Sequence, residues 1–235
     1  DRDMIGMNRQ GAFAQYMSIP EQCLVEAPAN MNPNHVALTE PAATVIHAVN
    51  IAIKESHLDI KDCHVLVIGA GAIGFLTGLL LKSYGVKMQI LETNMARHPC
   101  VKEHIGIDAV NPIKQSVSND YFDVIIDCVG SEKTSSISFD SIKAGGVIVN
   151  VGLQNWTSAI NIRKLTLQEI KLVGCYTYSM EDFKSAIKYI DKGYFGDLSW
   201  IKEYPLSEAN FAFKELHDGR ISSAKVILKP DFKKQ

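Results

Sequence analysis

Three glycines, Gly69, Gly71 and Gly74, stand in the spacing Gly-x-Gly-x-x-Gly directly behind the apolar run Val65-Leu66-Val67-Ile68. Such a run suits a strand covered on both faces in a parallel sheet, and residues 75–84 continue with helical rather than alternating character. In that context each glycine has its own task. Gly69 permits the tight turn, Gly71 lets the backbone approach a pyrophosphate, and Gly74 lets the helix pack close to the strand. Free N–H groups at the helix start would hold the anion. The pattern also occurs in methyltransferases and in loops that bind nothing, so a second residue has to decide. Met88-Gln89-Ile90-Leu91 reads as the next strand and ends at Glu92, about 20 residues on, where a carboxylate can accept hydrogen bonds from an adenosine ribose. Both features together predict dinucleotide binding, against a surface acid beside a structural turn. Glu92 favours NAD over NADP because a carboxylate repels a 2′-phosphate, and Arg97 nearby blurs that preference.

The elements that must position these residues alternate along the chain. Asp123-Val124-Ile125-Ile126-Asp127-Cys128-Val129-Gly130 reads as a buried strand running into a Gly-Ser turn, with a helix over 132–142. Strands follow at 145–152 and 170–176, then a helix over 180–191 capped by Ser179. Strands alternating with helices predict a doubly wound parallel sheet, an α/β fold. Toward the end a short strand at 200–204, a helix at 208–217 capped by Ser207 and a strand at 225–228 are expected. Ahead of the fingerprint, residues 12–19 and 23–26 read as two short strands separated by Pro20, which cannot form a stable unit alone. Residues 34–49 have helical apolar spacing, with Pro41 either kinking one helix or sitting in the first turn of a second. Glu40 then falls at a helix start in an apolar segment; from spacing alone it reads as a capping acid.

The composition narrows the function classes. The chain has 235 residues, 46% hydrophobic and 21% charged, with a formal net charge of -2, which offers no basic field to nucleic acid or an anionic membrane. Lys and Arg are spread along the chain apart from the pair Lys233-Lys234. Cys23, Cys63, Cys100, Cys128 and Cys175 are odd in number and widely separated, which suits reduced thiols in the cytoplasm rather than a disulfide framework or a self-contained zinc site. No signal peptide and no apolar run of membrane-spanning length is found.

Taken in order, Gly11-Ala12-Phe13-Ala14-Gln15-Tyr16, Glu40-Pro41 with His47, the 69–74 turn, Asp127-Cys128-Val129-Gly130, Gly145-Gly146 and Lys225-Val226-Ile227-Leu228 resemble the zinc-dependent medium-chain dehydrogenases, and among them the sorbitol, galactitol-phosphate and galactonate type. The resemblance covers nearly the whole chain. It implies a Rossmann domain over 35–195, flanked by remnants of a β-rich GroES-like catalytic domain at 1–34 and a C-terminal return to it at 196–235. It further implies NAD as cofactor, with NADP less favoured, zinc in the full-length protein, a small polyol or sugar-acid substrate, and a homodimer or homotetramer joined through the 172–178 sheet edge.

Position by position, Glu40 resembles an acid that ligates the catalytic zinc or holds its water, which turns its reading from cap to metal-site residue. Thr44 resembles the residue beside the nicotinamide, Ile73 the side chain that packs on its ring, and Val151 the position whose backbone meets the carboxamide. Core packing is the alternative for all three. Lys225 resembles a basic residue near the pyrophosphate, the alternative being a solvated strand end. His47 reads as a packed helix histidine, and the other histidines lack ligand spacing. A Gly-His-Glu run and a cysteine cluster are missing, so the first zinc ligands and the proton relay fall on no residue here, and a fragment or truncation is expected. The competing readings are a non-catalytic dinucleotide-binding or dimerising module and a zinc-free quinone reductase-like enzyme, with a methyltransferase more distant.

Overall fold

The computed structural model describes residues 4–231, so Lys233-Lys234 lies outside the described residues. The aliphatic runs form five strands, β1 (His64–Ile68), β2 (Lys87–Leu91), β3 (Phe122–Asp127), β4 (Ile142–Asn150) and β5 (Lys171–Gly174). All pair in parallel in the order β2-β1-β3-β4-β5. The order reverses between β1 and β3, and in open α/β sheets that reversal opens a crevice at the carboxyl ends of the strands. Beyond β2 a further strand is reduced to one bridge, Leu91 to Val110.

Helices sheathe both faces, which is why these strands are apolar without alternation. Val65, Val67, Val124, Ile126, Val147 and Val149 face a core shared with α2 (Thr39–Ser56), α3 (Ala72–Ser83) and α7 (Met180–Asp191). Leu66, Ile68, Ile125 and Ile148 face the other side, with Phe139 of α5 (Glu132–Ser141) and Leu165 of α6 (Ile162–Leu167). Burying each such aliphatic side chain contributes about 1.5–3 kcal/mol, so the sheet faces hold the fold together far more than any surface pair. The minor helices are α1 (Pro33–Val36), capped by Asn32, and α4 (His98–Cys100), which continues as a π turn over Val101–Ile105. At the end of the chain β6 (Lys202–Pro205) and β7 (Val226–Lys229) pair in parallel around α8 (Ala209–His217).

Three expectations are corrected. Residues 12–19 and 23–26 form no strand; the stretch holds a 3-10 turn, Glu21–Cys23, because no neighbouring strand among the described residues offers these segments a ladder. The strand expected at 170–176 stops at Gly174, and Thr177 adopts a left-handed φ of 56° that extended pairing does not tolerate. Ser207 does not cap α8: it sits inside the 3-10 turn Leu206–Glu208, and the cap position falls on Glu208 with no side-chain bond. Of the two readings of Pro41 the second holds: it lies in the first turn of α2, the helix that follows α1, where its missing N–H is not needed, and α2 runs on unbroken. The five cysteines are free thiols, and among the described residues no helix is long and apolar enough to cross a membrane.

Candidate functional site

Where β1 ends, Gly69 turns the chain with φ 92° and donates its N–H to the Leu91 carbonyl at 2.7 Å. The turn folds back so tightly that a Cβ on Gly74 would lie 1.8 Å from the Gly69 carbonyl oxygen. Only glycine fits at 74. A Cβ on Gly71, by contrast, would meet nothing closer than Arg97 Nη1 at 3.8 Å, so the backbone there is open to a ligand at the first turn of α3.

Glu92 lies at the end of β2 and is 6% exposed. One carboxylate oxygen accepts from the Ala70 N–H at 2.8 Å and from Arg97 Nη1 at 3.3 Å, and the other accepts from the Asn94 N–H at 2.7 Å. The acid therefore does two things: it braces the glycine turn, and it presents an oriented carboxylate to a cleft of about 690 Å³ beside it. Gly69, Gly71, Arg97, Val129 and Lys133 also line that cleft, which sits at the β1/β3 reversal. The two cations bring positive charge to a place where phosphate would lie. Arg97 Nε is buried without a partner, an unmet donor in the wall of the cleft.

The second part of the site is assembled from distant segments. Residues 57–63 join α2 to β1, so α2 runs back along the sheet and its first turn lies at the same carboxyl end as the glycine turn. Glu40 is in that first turn. Its carboxyl pKa is raised by burial, with Lys225 opposing the rise. The α2 cap is Leu38 without a side-chain bond, so Glu40 is not a hydrogen-bonding cap, although the helix dipole favours an acid there. The Tyr178 phenol is pushed up to about 12 by burial, then by the charges of Glu40 and Cys23. Tyr178 thus feels the charges of Glu40 and Cys23, and Glu40 that of Lys225, across four parts of the chain. Gly69, Gly71 and Glu92 line the large cleft; Gly74 lies beneath the turn, and Thr44, Ile73, Val151 and Lys225 lie outside its walls. Ile73 and Val151 are half-buried against the same core as Tyr178.

A catalytic zinc normally takes three protein ligands. Among the described residues no group of three His, Cys, Asp or Glu is arranged to hold a metal. Sequence reasoning missed Asp182, which lies 2.9 Å from His47 Nδ1. Its only local signal was the Ser179-x-x-Asp182 spacing of a capping box.

With 25% identity over 78% of this chain, sorbitol dehydrogenase 1 of Saccharomyces cerevisiae is a curated relative, and the match spans 54% of the yeast protein. A sorbitol dehydrogenase of Halalkalibacterium halodurans is 28% identical over 97% of this chain and 68% of its own length. The crystal structure of L-idonate 5-dehydrogenase from Escherichia coli superposes with a TM-score of 0.82 at 26% identity, covering 96% of this chain and 65% of that one. The chain therefore spans between about half and two-thirds of the length of these relatives. A family model described as zinc-binding dehydrogenase matches residues 72–192, half of the chain, and the chain belongs to that family.

Proposed function

We propose that the protein to which this chain belongs oxidises a secondary alcohol of a polyol, sugar or sugar acid, passing hydride to NAD. The carrying observation is Glu92, buried and braced against the glycine turn, with its carboxylate in the cleft wall. In this reading the backbone at Gly69, Gly71 and Gly74 receives the pyrophosphate, Glu92 takes the adenosine ribose, and Thr44, Ile73 and Val151 flank the nicotinamide. Lys225 offsets negative charge beside Glu40. The names of the sorbitol and L-idonate dehydrogenase relatives support the substrate class. Residues 35–195 act as the cofactor unit, and 1–34 with 196–235 belong to a GroES-like catalytic part. Zinc in the whole protein would draw on Glu40 and on ligands outside the described residues. The free cysteines suit a cytoplasmic setting. β5 is an edge strand whose Leu172 is exposed beside exposed Trp156, which supports assembly of homodimers, or homotetramers built from them, through that edge.

Calorimetric titration of NAD and NADP tests this reading: NAD is expected to bind more tightly than NADP, and binding of neither overturns it. A second reading, a dinucleotide-binding module without chemistry, is favoured by the lack of a metal-holding group among the described residues. Reduction of NAD by the full-length protein with sorbitol or L-idonate separates the two.

A further inference from the structure

We propose that Asp182 is a positioning residue for the nicotinamide end of the cleft, its carboxylate locking the turn after β5 to the helix that carries Glu40 and Thr44. The inference rests on the NAD reading above. Asp182 stands at the third position of α7, where a capping box with Ser179 accounts for its bonds to the Ser179 N–H at 3.0 Å and hydroxyl at 2.7 Å. Capping occupies one carboxylate oxygen. The same oxygen also meets His47 Nδ1 at 2.9 Å, and the other accepts from Asn50 Nδ2 at 3.2 Å, both from α2. Four donors thus converge on a carboxylate only 8% exposed, and two of them come from a helix more than a hundred residues earlier in the chain. Burial opposes the charge, yet these bonds outweigh it and hold the carboxyl below its ordinary value.

The donors sit where they control orientation. Glu40, Thr44, His47 and Asn50 follow one another at steps of four, three and three, so they form one stripe along α2. Fixing His47 and Asn50 fixes the rotation of the helix about its axis, and with it the direction of Thr44 and Glu40. On the other side of the clamp, Thr177 holds a left-handed φ of 56°, a conformation that a β-branched residue keeps only when its surroundings impose it. The next residue, Tyr178, stacks on Phe183 of α7 at 5.6 Å and feels the charge of Glu40. Apolar contacts already attach α2 and α7 to the shared core, so the polar node is not needed for attachment and acts on alignment.

The test separates the two halves of the cofactor. NAD and ADP-ribose, which lacks the nicotinamide, are titrated into the wild-type chain and into Asp182→Ala, His47→Ala and Asp182→Asn. In the first two, NAD affinity should fall about three- to tenfold, the loss of roughly one net hydrogen bond, while ADP-ribose affinity holds. Asp182→Asn keeps an acceptor for Ser179 and His47 and should restore most of the difference. His47→Ala leaves the capping box intact and carries the test if Asp182→Ala does not fold. Equal losses for both ligands, or unchanged NAD affinity in His47→Ala, overturn the proposal alone. Wild-type protein that binds neither ligand overturns it together with the NAD reading.

Discussion

The glycine turn takes Gly69, Gly71, Gly74 and Glu92 from one strand-helix-strand unit, whereas the region around Glu40 draws Cys23, Glu40, Tyr178 and Lys225 from four segments scattered through the chain. At the first, every charge of Glu92 is met by a donor at 2.7 to 3.3 Å. At the second, the Glu40 side chain reaches solvent, yet desolvation disfavours its charged form despite Lys225. A site whose parts are local can be rigid within its own unit. One assembled from distant parts depends on how the elements are held relative to each other, which is the task assigned above to Asp182.

Four changes would break or sharpen that contrast. The largest effect is expected at Gly74→Val, where the new Cβ would meet the Gly69 carbonyl at 1.8 Å; overpacking against backbone should cost about 3 kcal/mol or more and abolish nucleotide binding, read by urea unfolding and calorimetry. Next comes Glu92→Ala. It leaves the Ala70 and Asn94 N–H groups and Arg97 without their acceptor, so stability should drop by about 2–3 kcal/mol in the same unfolding assay. Its preference for NAD over NADP should also shrink, since the repelling carboxylate is gone and Arg97 remains. A wild type in which both nucleotides bind equally would show instead that Arg97 already governs the site.

The remaining two concern pH. Asp182 has a lowered carboxyl pKa, so the stability it contributes is present above its unfolded value of 3.8 and is lost as pH falls through the lower folded value. The stability gap between wild type and Asp182→Ala, measured by urea unfolding from neutrality downward, should therefore close only below about that pH; a gap that stays constant would contradict the clamp. Glu40 has the opposite sign. With its pKa raised by burial, the charged form is a burden on the fold at neutral pH that protonation relieves, so Glu40→Gln should raise the thermal midpoint slightly at pH 7 and show a shrinking gain as the pH is lowered. A lower midpoint would mean that Lys225 more than repays the burial of Glu40.

The same contrast explains what could be read from the amino acids. Strand, turn and acid around Gly69 are adjacent in sequence and use residues with few alternatives, so the places of Gly69 and Gly74 in the turn and of Glu92 at the end of the next strand were legible from order alone. The edge expected over 172–178 from the family resemblance is found at the strand Lys171–Gly174, which ends short of those bounds. What stayed hidden depends on distant partners. Residues 12–19 carry strand-forming side chains, but a strand exists only with a neighbour to pair with, and none is present among the described residues. His47 looked like packing because nothing near it in sequence marks Asp182, 135 positions away, as its partner. Ser207 had the right chemistry for a cap and stood too early, inside a 3-10 turn that follows Pro205.

The bridge between Leu91 and Val110 carries a consequence for timing. Val110 is attached to β2 by two backbone bonds, its N–H to Ile90 and the Glu92 N–H to its carbonyl, each 2.9 Å. The residues just after it, Pro112 and Ile113, form a wall of the cleft, and Ile113 is 80% exposed. Parting this wall from the sheet gives up these two bonds, a third from Asn111 Nδ2 to the Thr93 carbonyl at 3.2 Å and the packing of Val110 on the core, which together stay below the cost of unfolding a domain. The cleft can therefore breathe on its own, exchanging its amide protons with solvent before the core does, and a nucleotide bound there would register first as slowed exchange at Val110 and Glu92.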